Sequence, residues 1–161
     1  MTRARHHWVL PTSLVVALAL SLLPLPQLLQ PLRPFWLGLV LAYWVIEDPE
    51  RVGLGFSFLV GLAGDLVSDG LLGEQALRLV IMAFILQRFR ARLRFFPLSQ
   101  QALAIGGLML NDRIVVFAIH TVLREPTLPA AFWLAPVAGM LLWPPIFLLL
   151  DALRLGSWRR R

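Results

Sequence analysis

The stretch ALAIGGLMLNDRIVVFAIHTVL, residues 102–123, is apolar except for a few polar residues, with the charged pair Asp112 and Arg113 near its centre. An α-helix of this length rises about 33 Å, which matches the roughly 30 Å hydrocarbon core of a bilayer. The stretch AAFWLAPVAGMLLWPPIFLLLDAL, residues 130–153, is similarly long and apolar. Both segments are therefore predicted to be membrane-spanning helices.

The composition of the whole chain agrees with these two segments. Of its 161 residues, 58% are hydrophobic and 15% are charged, and the mean hydropathy is +0.75. Soluble domains average about 45–50% apolar and about 25% charged residues. A chain of this length has room for about six or seven spans and none for a soluble domain. This apolar composition excludes a water-soluble enzyme. The chain also lacks cysteine, which excludes thiolate catalysis and Cys-ligated metals.

We predict an all-α integral membrane protein, a single domain built as a bundle of six transmembrane helices. Span two has only twelve residues, about 18 Å of helix. It must be extended by its flanks, lie in thinned lipid or be enclosed by neighbouring helices. Span six contains Trp143-Pro144-Pro145, where a kink is expected. The predicted spans cover residues 8–29, 35–46, 52–68, 76–89, 102–123 and 130–153.

Span three is rich in glycine. Small residues in a membrane helix let the backbone of another helix approach closely. We therefore expect this helix to lie inside the bundle. The candidate helix-packing residues are Gly55, Gly61 and Gly64.

The fifteen residues that are Lys or Arg are all arginines, and their distribution predicts the topology. Six spans place both termini on one side of the membrane. Eleven arginines lie on that side, three lie in the opposite loops, and Arg113 lies within span five. Since cytoplasmic loops carry the excess of positive charge, both termini are predicted to be cytoplasmic. No basic surface interleaved with aromatic residues is present, so we expect no nucleic-acid binding.

A basic run follows span four. One interpretation is a topology anchor, and the other is a cytoplasmic docking surface for anionic lipid or an acidic protein. Both can hold together. The residues of this run are Arg88, Arg90, Arg92 and Arg94.

Ionisable residues within the predicted spans need partners, because each costs roughly 2.5–3.5 kcal/mol at the centre of a bilayer. We expect Asp65, one helical turn after Gly61, to pair with an arginine of another span. One hypothesis combines Asp65, Asp112, Arg113 and His120 into a proton relay or a polar substrate pocket. The favoured alternative is that they are structural contacts that hold the bundle together. The candidate intramembrane polar or pocket residues are Asp65, Asp112, Arg113 and Arg78.

The sequence carries no recognisable catalytic motif. No serine lies in a G-x-S-x-G sequence, no Gly-rich phosphate loop is present, and His120 has no partner at H-E-x-x-H spacing. His120 is expected to be a satisfied or interfacial histidine. We also find no inverted repeat of the kind that many coupled transporters contain. We therefore expect no catalytic residue, no cofactor and no metal.

Several short motifs follow one another along the chain in a specific order. They are Arg33-Pro34, Tyr43-Trp44, Arg51-Val52, Gly55, Gly61, Asp65-Leu66, Leu72-Gly73, Ala76-Leu77, Phe132-Trp133 and Leu142-Trp143-Pro144. Their order and spacing resemble the rod shape-determining protein MreD family. The resemblance covers essentially the whole chain and is strongest over residues 33–77 and 132–148. Arg113 beside Asp112 is not part of the family pattern.

The resemblance implies a non-enzymatic protein of the bacterial inner membrane. Its implied direct partner is the bitopic protein MreC. Through that complex, it would act with the actin-like MreB and with the RodA transglycosylase and its penicillin-binding transpeptidase. The implied fold is similar to the substrate-binding subunits of energy-coupling-factor vitamin transporters, six-helix bundles with a pocket near the outer face.

Our hypothesis from the sequence is a scaffold of the elongation (Rod) complex that binds MreC and supports peptidoglycan synthesis and rod cell shape. The short spans two and four would offer a helix-binding surface, because association relieves hydrophobic mismatch. Membrane lipid is the other expected partner. The alternative is a small-molecule-binding membrane subunit of a vitamin-type transporter, with its ligand site around Asp65 and Asp112.

Overall fold

The computed structural model describes residues 8–156, which form six α-helices and two short 3-10 helices without any β-strand. The predicted all-α class is therefore confirmed. The basic residues expected before Trp8 and after Gly156 lie outside the described residues. The helices are α1 (Val9–Leu22), α2 (Trp36–Glu47), α3 (Leu54–Val67), α4 (Glu74–Leu93), α5 (Leu98–Val122) and α6 (Ala135–Gly156), and the 3-10 helices are Gln30–Leu32 and Ala130–Leu134.

Two of the described helical segments, Leu98–Val122 and Ala130–Leu155, are long and apolar enough to cross a membrane. Helices α1 and α3 are apolar but have only 14 residues each. The helix of span one ends at Leu22, well before the predicted boundary at residue 29, since the sequence continues with Pro24 and Pro26. Proline lacks the N–H that would extend the helix.

Helix α2 forms the centre of the bundle. Every residue from 37 to 46 is buried, and Leu39, Ala42 and Ile46 have no exposed surface. The helix packs against α1, α4 and α6. Because these neighbours enclose it, its 12 residues need not match the thickness of the lipid. Of the three explanations considered for the short span two, this packing agrees with enclosure by neighbouring helices.

The prediction that short spans two and four form a helix-binding surface is wrong. Helix α2 is covered almost entirely by helices of its own chain, so it offers another protein little more than Trp36 and Val40, which line a groove beside α1 and α6. Helix α4 is not short, because it runs for 20 residues from Glu74 to Leu93, about 30 Å.

Helix α3 lies at the periphery, against α4, and the prediction that it lies inside the bundle is wrong. Its buried face consists of small and polar residues such as Ser57 and Gly64. Its opposite face exposes large apolar residues, with Leu59 65% and Leu66 76% exposed. The two faces of α3 therefore differ chiefly in residue size, with small residues on the buried face and large apolar residues on the exposed face.

Two of the three candidate packing glycines make a close contact. A Cβ atom on Gly61 would lie 2.6 Å from the backbone nitrogen of Ala76, and one on Gly64 would lie 3.1 Å from the side chain of Leu37. Among the described residues, nothing lies within 4 Å of such an atom on Gly55, so this structure shows no packing contact for it. The close approach of α3 to α4 depends on Gly61.

Successive helices alternate in direction, which collects the connections at two ends. The end of α3 touches the start of α4 through Asp65, and the end of α4 touches the end of α2 through Arg90. Residues 23–35, 68–73 and 123–134 therefore form one end, called here the three-loop end. The other end holds residues 48–53 and 94–97, together with the end of α6, where Arg154 lies 3.0 Å from Glu47 at the end of α2.

Candidate functional site

Three aromatic residues of the family motifs make polar contacts between helices. Trp44 Nε1 donates a hydrogen bond to Ser13 Oγ on α1 at 2.9 Å, and the Tyr43 hydroxyl donates to Asp151 Oδ1 on α6 at 3.2 Å. Trp143 Nε1 lies 3.4 Å from its acceptor on α5, the side-chain oxygen of Gln101. These residues fix the bundle around α2. Pro144 follows Trp143 within α6, which continues through it.

Gln101 is a buried residue that the sequence analysis missed. Its side-chain nitrogen donates to the carbonyl oxygens of Leu93 at 2.9 Å and Phe96 at 3.3 Å, and its side-chain oxygen faces Trp143. The amide thus binds the carbonyl of the last residue of α4 and one carbonyl of the loop that follows it. The feature of the sequence that could have identified this residue is a glutamine at the start of an apolar run.

Asp65 caps the start of α4 from the neighbouring helix. Its carboxylate accepts hydrogen bonds from the backbone N–H groups of Gly73 at 2.8 Å, Gln75 at 2.9 Å and Ala76 at 3.3 Å. These N–H groups belong to the positive end of a helix dipole, which stabilises a carboxylate there. The predicted pairing of Asp65 with an arginine of another span is wrong, because the backbone of α4 satisfies it.

Gly73 makes this cap possible. Its φ angle is +96°, in the left-handed region that glycine adopts without a steric penalty. The backbone turns there from the loop into α4 and directs the Gly73 N–H toward Asp65. The motif glycine therefore has a conformational role.

Arg78 and Asp112 form a buried, bidentate ion pair between α4 and α5. Arg78 Nε and Nη2 each lie 2.7 Å from one carboxylate oxygen of Asp112. The side chains are 11% and 2% exposed, and Glu74 lies 3.8 Å from a third guanidinium nitrogen. The two opposite charges thus satisfy each other, which lowers the cost that an isolated charge would have inside a bilayer. The sequence named both residues as candidates without joining them.

Arg113 and Arg33 bind backbone carbonyls instead of carboxylates. Arg113 Nη2 donates to the carbonyl oxygen of Arg33 at 3.0 Å, and Arg33 Nη2 donates to that of Leu23 at 2.6 Å. Among the described residues, neither guanidinium forms an ion pair. Arg33 Nε is buried and has no hydrogen-bond partner in this part of the chain.

These three arginines line one pocket at the three-loop end, with a volume of about 260 Å³. Arg78, Arg33 and Arg113 are its ionisable lining residues, and no carboxylate lines it. Two aromatic rings, Phe35 and Phe132, form part of its wall. Its remaining lining residues are Ser21, Gln30, Pro31, Pro34, Ser68 and Gln75.

The residues of the hypothetical proton relay do not come together in one path. Asp65 binds the start of α4, Asp112 binds Arg78, and Arg113 binds a loop carbonyl. His120 Nδ1 lies 2.8 Å from Glu125 in the loop that follows α5. Each group has a separate local partner.

The basic run at the end of α4 is divided between two roles. Arg90 Nε donates at 2.8 Å to the carbonyl oxygen of Ile46 and ties α4 to the end of α2. Arg88, Arg92 and Arg94 are exposed, so the part of this run that could form a docking surface consists of these three. A catalytic cluster is not evident, and the described residues contain no group of three His, Cys, Asp or Glu side chains that could hold a metal.

Comparison with known proteins agrees with the motifs quoted above. The family model described as rod shape-determining protein MreD matches residues 2–153. The rod shape-determining protein MreD of Haemophilus influenzae is 36% identical over 140 residues, which cover 87% of this chain and 86% of that protein. No solved structure matches the chain. On this evidence the chain belongs to the MreD family of rod shape-determining membrane proteins.

Proposed function

We propose that this chain is a non-enzymatic, multi-pass scaffold of the bacterial inner membrane that binds MreC within the elongation complex. It would thereby support peptidoglycan synthesis and rod cell shape. Family membership supports the role in shape determination. The use of the interior polar side chains supports a scaffold, because they join helices to one another and leave no reactive group aligned with a base.

The surface supports a location within the membrane. Large apolar side chains are exposed along the helices, for instance Val15 at 63% on α1, Phe84 at 60% on α4 and Leu141 at 68% on α6. A soluble monomer rarely exposes contiguous apolar patches larger than a few hundred Å². Six antiparallel passes, with the three-loop end facing outward, would put eleven of fifteen arginines on the cytoplasmic side.

We propose the groove between α1 and α6 as the site for the single membrane helix of MreC. The groove has a volume of about 390 Å³, and its lining is almost entirely apolar. A concave surface buries more of an incoming helix than a convex one, and packing dominates helix association in lipid. The outer face of α3 is apolar but convex. The groove is lined chiefly by Val9, Val16, Ala17, Leu20, Val40, Ile146, Leu149 and Leu153.

Filling the groove is the test of this proposal. Leu149 lines the groove and is 61% exposed, so Leu149→Trp should fit in the membrane yet obstruct the partner helix. Leu148 is 56% exposed but does not line the groove. Leu148→Trp is therefore the matched control. Tagged protein would be purified from its host in mild detergent, and the bound MreC quantified by mass spectrometry.

We expect Leu149→Trp to reduce the bound MreC about tenfold, a loss of about 1.4 kcal/mol, with rounded cells. The control should retain both MreC and rod shape. Equal recovery with both variants would exclude the groove as the site. Absence of MreC from the wild-type purification would overturn the scaffold proposal itself.

The second candidate is a small-molecule-binding subunit of a vitamin-type transporter. The observation that favours it is the pocket of about 260 Å³ at the three-loop end. The sequence placed the ligand site around Asp65 and Asp112, but these carboxylates point at α4 and at Arg78, and neither lines the pocket. Recovery of a paired ATPase module with its coupling subunit in the same purification would favour this candidate.

A further inference from the structure

The pocket at the three-loop end has an unusual balance of charge. Arg78 pairs with Asp112 and lies near Glu74, whereas Arg33 and Arg113 form no ion pair among the described residues, and Arg113 interacts with Asp112 only at longer range. All three guanidinium groups line the same space of about 260 Å³. The side chains around that space therefore carry an excess of positive charge that nothing within it neutralises.

A donor without an acceptor lies at this site. Arg33 Nε is buried, and no acceptor among residues 8–156 reaches it. Leaving a buried charged donor unsatisfied costs at least about 1–3 kcal/mol. Arg33 lines the pocket, so a ligand oxygen that reaches Nε would remove that cost.

The aromatic wall orients the guanidinium groups. The Cζ atom of Arg78 lies 4.0 Å from the centre of the Phe35 ring, and that of Arg113 lies 4.5 Å from the centre of the Phe132 ring. A cation above a ring is attracted to the face of that ring. Arg78 donates Nε and Nη2 to Asp112. Arg113, by contrast, uses only Nη2, toward the Arg33 carbonyl, and its other N–H groups are available to a ligand.

We propose that this pocket binds a phosphate group, held by Arg33 and Arg113 and bordered by Arg78. Guanidinium forks match the oxygens of phosphate, and several arginines around one space suit an anion with three or four oxygens better than a two-oxygen carboxylate. The inference concerns this pocket alone, so it does not depend on the proposed binding of MreC.

The surroundings favour a lipid phosphate over a soluble one. The loop that supplies Arg33 and the loop that precedes α4 both expose leucines, with Leu28 90% and Leu72 72% exposed. Such side chains are stable among acyl chains or lipid headgroups. Basic pockets between membrane helices on the cytoplasmic side bind the headgroups of anionic lipids, and the same charge chemistry would operate at this end.

Two probes distinguish the sources of the phosphate. Delipidated full-length protein in neutral detergent would be titrated with phosphatidylglycerol, with phosphatidylcholine as the lipid control, and separately with inorganic phosphate and pyrophosphate. Native mass spectrometry would count bound lipid, and thermal unfolding would measure stabilisation by each probe. Preferential binding of phosphatidylglycerol identifies a lipid headgroup. Stabilisation by free phosphate or pyrophosphate alone identifies a soluble source and still supports the pocket.

The variants Arg33→Gln and Arg113→Gln should each weaken phosphate binding about tenfold, or about 1.4 kcal/mol. Arg124→Gln is the matched control, since Arg124 is exposed at the same end and does not line the pocket. The proposal is overturned if no probe stabilises the wild-type protein, or if the pocket variants bind as the control does.

A purely structural role of Arg113 would change the stability of the free protein and not its phosphate binding. If Arg113 only supports the loop through the Arg33 carbonyl, Arg113→Gln would lower the melting temperature without ligand and leave the ligand-induced shift unchanged. That outcome would overturn the proposal for Arg113. Arg113→Lys keeps the charge and loses the planar fork. We expect it to bind phosphate more weakly than wild type and more strongly than Arg113→Gln.

Discussion

Arg78 has more charge-stabilising partners than the other residues discussed for this bundle. It contacts Asp112 through two hydrogen bonds, lies 3.8 Å from Glu74 and stacks on Phe35. Asp112 depends much more on a single partner, because the only ion pair that the described residues offer it is Arg78. The pair is therefore asymmetric, and removal of its two members should have unequal effects.

We expect Arg78→Gln to destabilise the protein by about 3–5 kcal/mol, because it leaves Asp112 charged and buried. Asp112→Asn should cost less, since Arg78 keeps Glu74 and Phe35. The double variant should cost less than the sum of the single variants, with a coupling energy of about 0.5–3 kcal/mol. Equilibrium unfolding in mixed micelles measures each value.

An exposed ion pair provides the comparison for the Arg78 and Asp112 variants. Arg51 lies 3.5 Å from Asp48, and the two side chains are 38% and 30% exposed. Arg51→Gln should therefore cost about 1 kcal/mol or less. A loss as small as this from Arg78→Gln would show that the buried pair contributes nothing beyond a surface contact.

At the scale of the helix, α3 is attached to the bundle by two devices. The Gly61 backbone lies directly against that of Ala76, and the Asp65 carboxylate binds the first N–H groups of α4. The carboxylate can reach those groups only while the two backbones stay close. Packing and capping are therefore coupled along this one contact.

Gly61→Ala should destabilise the protein by about 1–3 kcal/mol, because the new methyl group would overlap the backbone of α4 and force the helices apart. Gly55→Ala, on the same helix, meets nothing within 4 Å. It should be neutral or stabilise the helix by up to about 1 kcal/mol through the better helix propensity of alanine.

Unfolding measurements and limited proteolysis near residues 68–73 would compare the two glycine variants. We expect faster cleavage in Gly61→Ala alone, since release of α3 also removes the cap on α4. Equal stability of both variants would refute the close-packing role of Gly61.

At the scale of the whole molecule, the alternating helices assign every connection to one of two ends. The three-loop end contains the arginine-lined pocket. The exposed arginines at the end of α4 belong to the opposite end. The bundle thus separates a pocket on one side from a basic surface on the other.

Reporter fusions test the orientation of this arrangement. Alkaline phosphatase, which is active only outside the cytoplasm, should be active when fused after Thr127 and inactive when fused after Phe96. A fluorescent protein joined to residue 161 should fluoresce in the cytoplasm. The physical reason is the excess of arginine beside the second site. The reverse pattern would contradict cytoplasmic termini and place the pocket inside the cell.

Some features of the site were predictable because they are local along the chain. Gly61 could be identified as a packing glycine from its place in an apolar run, and Asp112 as a buried charge from its place in span five. Gly55 has the same sequence signal as Gly61, yet it faces away from α4. The sequence shows that a residue is small, but whether it allows close helix packing depends on where the neighbouring helix lies.

By itself, the sequence determined the all-α class and the family, since apolar segments and ordered motifs are properties of the chain read in one direction. Only the tertiary structure decided that α2 is the enclosed centre, that Asp65 caps a helix and that Arg78 pairs with Asp112. It also brought Arg33 beside Arg113, 80 positions away. The physical reason is that hydropathy and helical periodicity report short-range preferences, whereas the partner of a polar group depends on which distant helices pack together.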